Sequence, residues 1–306
     1  MNPSQIVYVG NAHYCYANSA AMLLAASGET VSPALIEVLT GVGLGALLIP
    51  GAPPLFSMHA PDEGLSQALT LLGYDFIEQT APPEDPIASL RSQLQQGPVV
   101  LGPLDMGHLR YLHDYEYLGG VDHYVLAYEL NEQDIHLHDP QGCPYISLDL
   151  ESFQQAWLAE QISYRRSPYR LWHGPVRQRV VPQEELYSQA ISAFQRIYRK
   201  AENFTVQRHW LTGATAIHAF AEQLQGAGVR ASLISFSLPL GAKRAHDYAA
   251  FFKPYHPELA RLKSAQSQSF GHLHSLVAQN RWPQSVSELN VLADLEAEFQ
   301  DCLLQV

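Results

Sequence analysis

The sequence is poor in cysteine and in charge, and each shortage excludes a class of protein. Three cysteines in 306 residues are too few for a disulfide framework, and Cys15, Cys143 and Cys302 lack the paired spacing of a zinc site. We therefore expect no disulfides and no metal. Charged residues make up only 16% of the chain, and the net charge of -12 argues against nucleic acid as a partner.

Long apolar runs are also missing. The longest uncharged apolar stretch, 41–56, is broken by glycines and prolines, so it does not predict a membrane-spanning helix. The first residues, MNPSQIVYVG, lack the basic and then apolar order of a signal peptide. We therefore expect a cytoplasmic protein with reduced thiols and no membrane association.

Positive charge is scarce in the first half of the chain, and this contrast predicts a domain boundary. Residues 1–164 contain two arginines against nineteen acidic residues, whereas residues 165–306 hold the other sixteen lysines and arginines against eleven acids. Strand patterns also give way to long amphipathic helical patterns after about residue 172. We therefore predict two domains, 1–172 and 173–306.

Cys15 is the first candidate functional residue. It lies in NAHYCYANSAAMLLAASG, where alanines and leucines recur with helical spacing until Gly28 ends the pattern. A thiol in the first helical turn faces unbonded N–H groups and the positive end of the helix dipole, which stabilise its thiolate. The alternative is a structural cysteine, because free cysteine is among the most buried residue types.

Two further residues complete a candidate catalytic set. VDHYVLAYEL, the turn NEQD and IHLHDP predict a β-hairpin in which His123 opens the first strand and Asp139 closes the second. Antiparallel pairing places these ends side by side, so the carboxylate can reach the imidazole. Cys15, His123 and Asp139 would then be nucleophile, base and orienting acid, in the chain order of papain-like enzymes. Cys143 is an alternative thiol, but its sequence context predicts no helix to stabilise a thiolate.

Two other segments carry expectations of their own. The glycine-rich segment TGVGLGALLIPGAPP is unusually apolar for a loop, and it predicts either a wall of the cleft near Cys15 or a buried connection. Farther along the chain, ASLISFSL predicts a single strand among amphipathic helices near 183–201, 211–224 and 287–304.

Several segments together carry a resemblance to a known family: HYCYANSAAMLLAASG, LTGVGLGALLIPG, VVLGPLDMGHLRYL and DHYVLAYELNEQDIHLHDP. In this order they resemble the N-terminal domain of the butirosin biosynthesis protein H family. SQAISAFQRIYRKAENFTVQRHWLTGATAIHAFAEQL is similar to the helical domain that follows in those proteins. The resemblance implies an α+β fold, with an N-terminal helix packed on an antiparallel sheet in a papain-like domain, and then a second, mostly helical domain.

The same resemblance implies a role in secondary metabolite biosynthesis. The family's named member moves an aminoacyl group from a carrier-protein thioester to an amine of an aminoglycoside. Carried over to this sequence, Cys15 is the nucleophile, His123 the base, Asp139 the orienting residue and Asp105 a cleft residue. Papain-like enzymes usually place an oxyanion-binding glutamine shortly before the cysteine, and here the nearest amide is Asn11.

The sequence departs from the family pattern at two points. Tyr14 separates the cysteine from the preceding histidine, and the glycine motif GVGLG contains no acidic residue.

We therefore expect a cysteine acyltransferase that moves an acyl or aminoacyl group from a carrier-protein thioester to a small-molecule amine through acyl-Cys15. Arg165, Arg166 and Arg170 are candidates for docking an acidic acyl-carrier protein, and a solvated surface is the alternative. No resident cofactor is expected, because phosphopantetheine would arrive with the substrate. Two alternatives stay open: a papain-like peptidase or amidase that hydrolyses an amide or thioester, and a non-enzymatic binding protein on the same fold.

Overall fold

The computed structural model describes residues 6–10, 13–50, 54–224 and 227–306, with side chains at all of these positions except 202–207 and 227. By its internal contacts the chain divides into two compact units. The first is Met1–Ile36 with Pro61–Val181, and the second is Glu37–Ala60 with Pro182–Val306. Each unit therefore contains two segments of the chain.

Strands belong mainly to the first unit and long helices to the second. The strands are β1 (Leu47–Leu48), β2 (Tyr74–Thr80), β3 (Val99–Asp105), β4 (Asp122–Leu130), β5 (Asp134–Asp139), β6 (Cys143–Asp149), β7 (Arg170–Arg177) and β8 (Leu211–Thr212). The helices are α1 (Cys15–Ala26), α2 (Pro33–Thr40), α3 (Pro61–Leu71), α4 (Pro86–Leu94), α5 (Leu150–Leu158), α6 (Gln183–Arg208), α7 (Gly213–Gln223), α8 (Arg230–Ser232), α9 (Leu238–Phe252), α10 (Pro257–Ala278) and α11 (Trp282–Gln305).

A six-stranded antiparallel sheet lies at the centre of the first unit, in the order β2-β7-β3-β4-β5-β6. The predicted hairpin is confirmed as β4 and β5. Helices α1 and α5 pack on the sheet, and buried side chains such as Val99, Leu101, Val125 and Trp157 form part of its core. The protein therefore has the expected mixed α+β architecture, followed by a helical C-terminal region.

The predicted boundary after residue 172 falls inside β7, which pairs with both β2 and β3. A strand hydrogen-bonded on both sides cannot be divided between domains, so the first unit extends through Val181. That unit therefore includes the arginines that follow residue 164, and it holds seven arginines against eighteen acidic residues. The charge contrast between halves of the sequence is thus smaller between the compact units.

Local sequence signals explain how several elements of the first unit begin. Asp85 accepts a hydrogen bond from the Ala88 N–H at the start of α4, and Asp149 does the same for Ser152 at the start of α5. Each carboxylate satisfies one of the N–H groups that a first helical turn leaves without a partner. Gly28 has a positive φ of 82° just after α1, which glycine adopts without strain.

The second unit bears on two expectations. The described residues 40–50 of the glycine-rich segment fit the alternative of a buried connection: β1 pairs with β8, and a Cβ on Gly43 would lie 2.9 Å from the side chains of Arg244 and Tyr248. The ASLISFSL strand prediction is wrong, because these residues form α8, a π-helical turn and the start of α9. Short apolar runs do not distinguish a strand from a buried helical turn, and here Leu233 and Leu238 are both buried.

In the part of the chain that the structure describes, every helix is too short or too polar to cross a bilayer.

Candidate active site

Cys15 is the first residue of α1, and its side chain is partly exposed. The helix behind it is buried from Tyr16 to Leu24, so packing holds the thiol in place at the helix end. The first-turn N–H groups and the helix dipole stabilise negative charge at this position. The position is therefore suited to a thiolate nucleophile that a substrate can reach.

His123 and Asp139 form a buried pair beside this thiol. His123 is 4% exposed and Asp139 is fully buried. The imidazole Nε2 lies 2.9 Å from both carboxylate oxygens, and Cys15 is close enough to the imidazole to help raise its pKa. Because His123 Nε2 is hydrogen-bonded to Asp139, Nδ1 is the ring nitrogen that can interact with the Cys15 thiol. The structure thus brings all three predicted residues together, while their catalytic role stays a prediction.

An irregularity in the hairpin places Asp139 on the same face of the sheet as His123. The register between β4 and β5 shifts between Ala127 and Glu129, where Tyr128 is an extra residue on β4. Beyond this bulge Leu126 pairs with His138, so Asp139 comes level with Val125. Val125 lies two positions from His123, and alternate residues of a strand share a face. Without the shift, Asp139 would come level with Leu126 and point to the opposite face.

In the His123–Asp139 pair, the imidazole holds its proton strongly. Burial of the imidazole opposes its protonation, but the Asp139 carboxylate and Cys15 outweigh this effect and raise the pKa of His123 to about 10. Burial would likewise raise the pKa of Asp139, yet His123, the Gln141 N–H and the Tyr111 O–H lower it. An imidazolium held next to a partly exposed thiol is the charge arrangement that favours a thiolate.

Tyrosines and a backbone N–H also hold the Asp139 turn, and sequence reasoning missed them. The Tyr111 hydroxyl donates to Asp139 Oδ2 at 2.8 Å, and the Gln141 N–H donates to Oδ1 at 2.7 Å. The Tyr8 hydroxyl donates to the Asp139 carbonyl at 2.8 Å and accepts from the Gly142 N–H at 3.0 Å. Tyrosine is frequent in this sequence, so no pattern distinguished these two from the others.

The second thiol of this region, Cys143, stands opposite Asp139 in the β5–β6 ladder. Burial and the Asp139 charge raise the pKa of Cys143. A thiol whose pKa is raised is a poor nucleophile at neutral pH. This environment supports Cys15 as the nucleophile of the two.

Asp105 has a clear structural role at the end of β3. Its carboxylate is 1% exposed, and Oδ1 accepts hydrogen bonds from the N–H groups of Gly107 at 2.9 Å and Gly120 at 3.0 Å. It therefore ties the two ends of the following loop together, a role that the sequence did not indicate. Asn11, the predicted oxyanion donor, lies outside the described residues.

The predicted docking arginines make their main contacts inside their own unit. Arg166 donates to Asp62 Oδ2 at 2.8 Å and to Glu78 Oε1 at 2.6 Å, and Arg170 also pairs with Glu78. The Arg165 guanidinium donates to the last carbonyl of α5. Much of their charge is thus already neutralised, which weakens the case for a basic docking surface.

No group of three or more histidine, cysteine, aspartate or glutamate side chains is arranged to hold a metal ion within the described ranges.

Comparison with known proteins agrees with the resemblance seen in the sequence. Residues 14–140 match the family model described as butirosin biosynthesis protein H, N-terminal, and residues 207–304 match the YobF C-terminal domain. Over 307 aligned residues the chain is 42% identical to a curated protein of Bacillus subtilis (strain 168), named "Uncharacterized protein YobF". The alignment covers 98% of this chain and 99% of that relative. The chain therefore belongs to the family of YobF, with a butirosin biosynthesis protein H N-terminal domain followed by a YobF C-terminal domain.

Proposed function

We propose that this protein is a cysteine acyltransferase whose first unit works as a papain-like catalytic domain. One observation carries the proposal: a partly exposed thiol at a helix N-terminus lies beside a buried histidine that is paired with a buried aspartate. This is the nucleophile, base and orienting acid of covalent acyl transfer. The family name, which refers to an antibiotic biosynthesis protein, supports a biosynthetic role.

In the first step, the Cys15 thiolate attacks the carbonyl carbon of a donor thioester. The tetrahedral oxyanion is stabilised by the Cys15 backbone N–H and the helix dipole, with Asn11 as a second candidate donor. The intermediate collapses, the donor C–S bond breaks, and the leaving thiolate takes the proton that His123 holds. Acyl-Cys15 remains, and because one thioester is exchanged for another the step is nearly isoenergetic.

In the second step, a small-molecule amine attacks acyl-Cys15. His123, now neutral, accepts a proton from the attacking nitrogen, and the Cys15 C–S bond breaks to release the amide. Asp139 keeps the imidazole oriented through both steps and stabilises its protonated form. The thiolate and imidazolium are then restored for the next cycle.

The proposed donor is an acyl group on the phosphopantetheine arm of an acidic acyl-carrier protein. A thioester suits a cysteine nucleophile, because its leaving group is itself a thiol. The internal pairing of Arg166 and Arg170 means that this proposal depends on the thioester chemistry and not on a basic docking patch.

Intact-protein mass spectrometry tests the proposal with a synthetic donor, the S-acetyl thioester of N-acetylcysteamine. We expect one added acetyl group on the wild-type protein and none on Cys15→Ala. Adding glycinamide should discharge the protein and produce N-acetylglycinamide. Cys143→Ala is the matched control, since it removes a nearby thiol and should still be acetylated.

The same experiment separates the rival functions. Release of acetate at equal rates with and without glycinamide would identify a hydrolase and refute transfer. No acetylation of wild-type Cys15, by this donor or by an acetylated carrier protein, would refute the enzyme proposal and favour a binding protein.

A further inference from the structure

The loop between β3 and β4, residues 106–121, is closed at its base and reaches the candidate active site. Asp105 accepts the N–H groups of Gly107 and Gly120, so one buried carboxylate joins the two ends of the loop. A Cβ on Gly107 would lie 2.8 Å from the Gly119 Cα, which shows how closely the two ends approach. The loop is therefore held in a defined conformation at its base.

Tyr111 lies in the middle of this loop and points to Asp139. Leu109 belongs to the core of the first unit, and Tyr111 and Leu112 pack against that core, so the middle of the loop is anchored as well. From this position the Tyr111 hydroxyl donates to Asp139 Oδ2 at 2.8 Å. The oxygen that receives this bond is also 2.9 Å from His123 Nε2.

We propose that Tyr111 is a positioning residue that holds the Asp139 carboxylate in the orientation needed to align His123 with Cys15, an inference that rests on the function proposed above. The carboxylate has two oxygens, and each has its own donor besides His123. The Gln141 N–H holds Oδ1, and Tyr111 holds Oδ2. Removing one donor leaves a buried carboxylate oxygen without that bond and lets the group rotate.

The neighbouring titratable groups determine the direction of the expected effect. Four titratable groups surround the His123–Asp139 pair: Cys15 on α1, Cys143 on β6, and Tyr8 and Tyr111 from loop segments. Burial and the Asp139 charge raise the pKa of Tyr111 well above its usual value, so its hydroxyl stays a donor across the neutral range. Its hydrogen bond helps to lower the pKa of Asp139. Losing the bond should therefore let Asp139 take up a proton at a higher pH.

The rate of Cys15 alkylation by iodoacetamide, measured from pH 4 to 9, tests this inference without a substrate. In Tyr111→Phe the rise of the rate on the acid side should move to higher pH. At a fixed pH on that acid side the rate should fall on the order of three- to tenfold, as expected for the loss of one hydrogen bond of ordinary strength. Tyr117→Phe is the matched control, because Tyr117 lies in the same loop and is 84% exposed. Its profile should coincide with the wild type.

A double-mutant cycle with Asp139→Asn separates positioning from a general structural role. If Tyr111 acts through Asp139, Tyr111→Phe should change the alkylation rate less than twofold in the Asp139→Asn background. An equal loss in both backgrounds would overturn the inference.

A second substitution, Tyr111→3-fluorotyrosine, keeps the ring and provides a test even if the phenylalanine variant folds poorly. Fluorine makes the phenol a stronger donor, so the acid side of the profile should move to lower pH. A wild-type profile with either substituent would show that Tyr111 does not position the pair. Failure of acetyl transfer with the alkylation shift intact would instead refute the function and leave the positioning role standing.

Discussion

Replacing the buried carboxylate of Asp139 by an amide should make Cys15 behave like an ordinary thiol. Asp139→Asn keeps the shape of the side chain and removes the charge that lies 2.9 Å from His123 Nε2. That charge is the strongest of the influences that raise the pKa of His123 to about 10. Without the Asp139 charge, burial of the imidazole should lower the pKa of His123, because less remains to counteract it.

The size of the effect follows from the charge that is lost. A neighbouring opposite charge typically shifts a pKa by about 1–3 units, and each unit is a factor of ten, or about 1.4 kcal/mol. Since the imidazolium stabilises the thiolate, the fraction of reactive thiolate should fall with it. Because a free thiol with a pKa near 8.5 keeps about 3% thiolate at pH 7, we expect the alkylation rate of Cys15 at pH 7 to fall about 10- to 30-fold in Asp139→Asn.

The pH dependence of the alkylation rate tests the direction of this effect independently of its size. The folded pKa of His123 is raised above its ordinary value of 6.5, so the stabilisation from its charged pair is complete below pH 6.5 and is lost as pH rises through about 10. The wild-type alkylation rate should accordingly be nearly flat across neutral pH. In Asp139→Asn it should climb steadily with pH, as for a free thiol.

Timed iodoacetamide labelling, quenched with excess thiol and followed by mass spectrometry of the Cys15 peptide, measures both effects. The Cys143 and Cys302 peptides of the same digest are internal references. Asp134→Asn, at the other end of β5, removes an acid from the same strand and should leave the Cys15 rate unchanged. A wild-type rate and profile in Asp139→Asn would refute the ion-pair reasoning.

Three further predictions concern stability and are measured by urea unfolding. Lys263 is 2% exposed and its pKa is lowered by burial to about 8, with Glu296 opposing the shift. The unfolded chain therefore binds this proton more tightly than the folded protein does. The free energy of unfolding should consequently rise by about 3 kcal/mol between pH 8 and 10.5, and Lys263→Met should abolish this rise. Arg166→Gln leaves the buried Asp62 without its closest cation and should lower the free energy of unfolding by about 2 kcal/mol. This loss is smaller than for a fully buried pair because Arg166 is 33% exposed. Arg261→Gln, in a pair where both side chains are more than half exposed, should cause no measurable change.

Much of the candidate site was readable from the order of residue types along the chain. The apolar spacing after Cys15 predicted α1, and period-two alternation predicted the β4–β5 hairpin with His123 and Asp139 at its open end. These signals are local, because a helix and a tight hairpin are specified by residues close together in sequence. The order of the sequence motifs also carried the family resemblance that the comparisons bear out.

Features that depend on distant segments were not readable in this way. The π-helical turn at Leu233–Ser237 replaced a predicted strand, and β7 extended the first unit past the predicted boundary at residue 172. The short apolar run 231–238 was compatible with several structures, and packing selected one of them, whereas the extent of the first unit depends on the pairing of β7 with β2 and β3. The sequence also left two alternatives open for the glycine-rich segment, and its described residues 40–50 fit the buried connection through the pairing of Leu47 and Leu48 with Leu211 and Thr212.

Sequence alone determined which elements form around Cys15 and His123, and which residue types are available for covalent chemistry. The tertiary structure alone decided that they meet. An extra residue at Tyr128 shifts the hairpin register and turns Asp139 to the face of His123, and a loop closed by Asp105 brings the Tyr111 hydroxyl to the same carboxylate. Neither relation is local: a register is set by side chains packing across strands, and a hydrogen bond between residues 28 positions apart exists only in the folded chain.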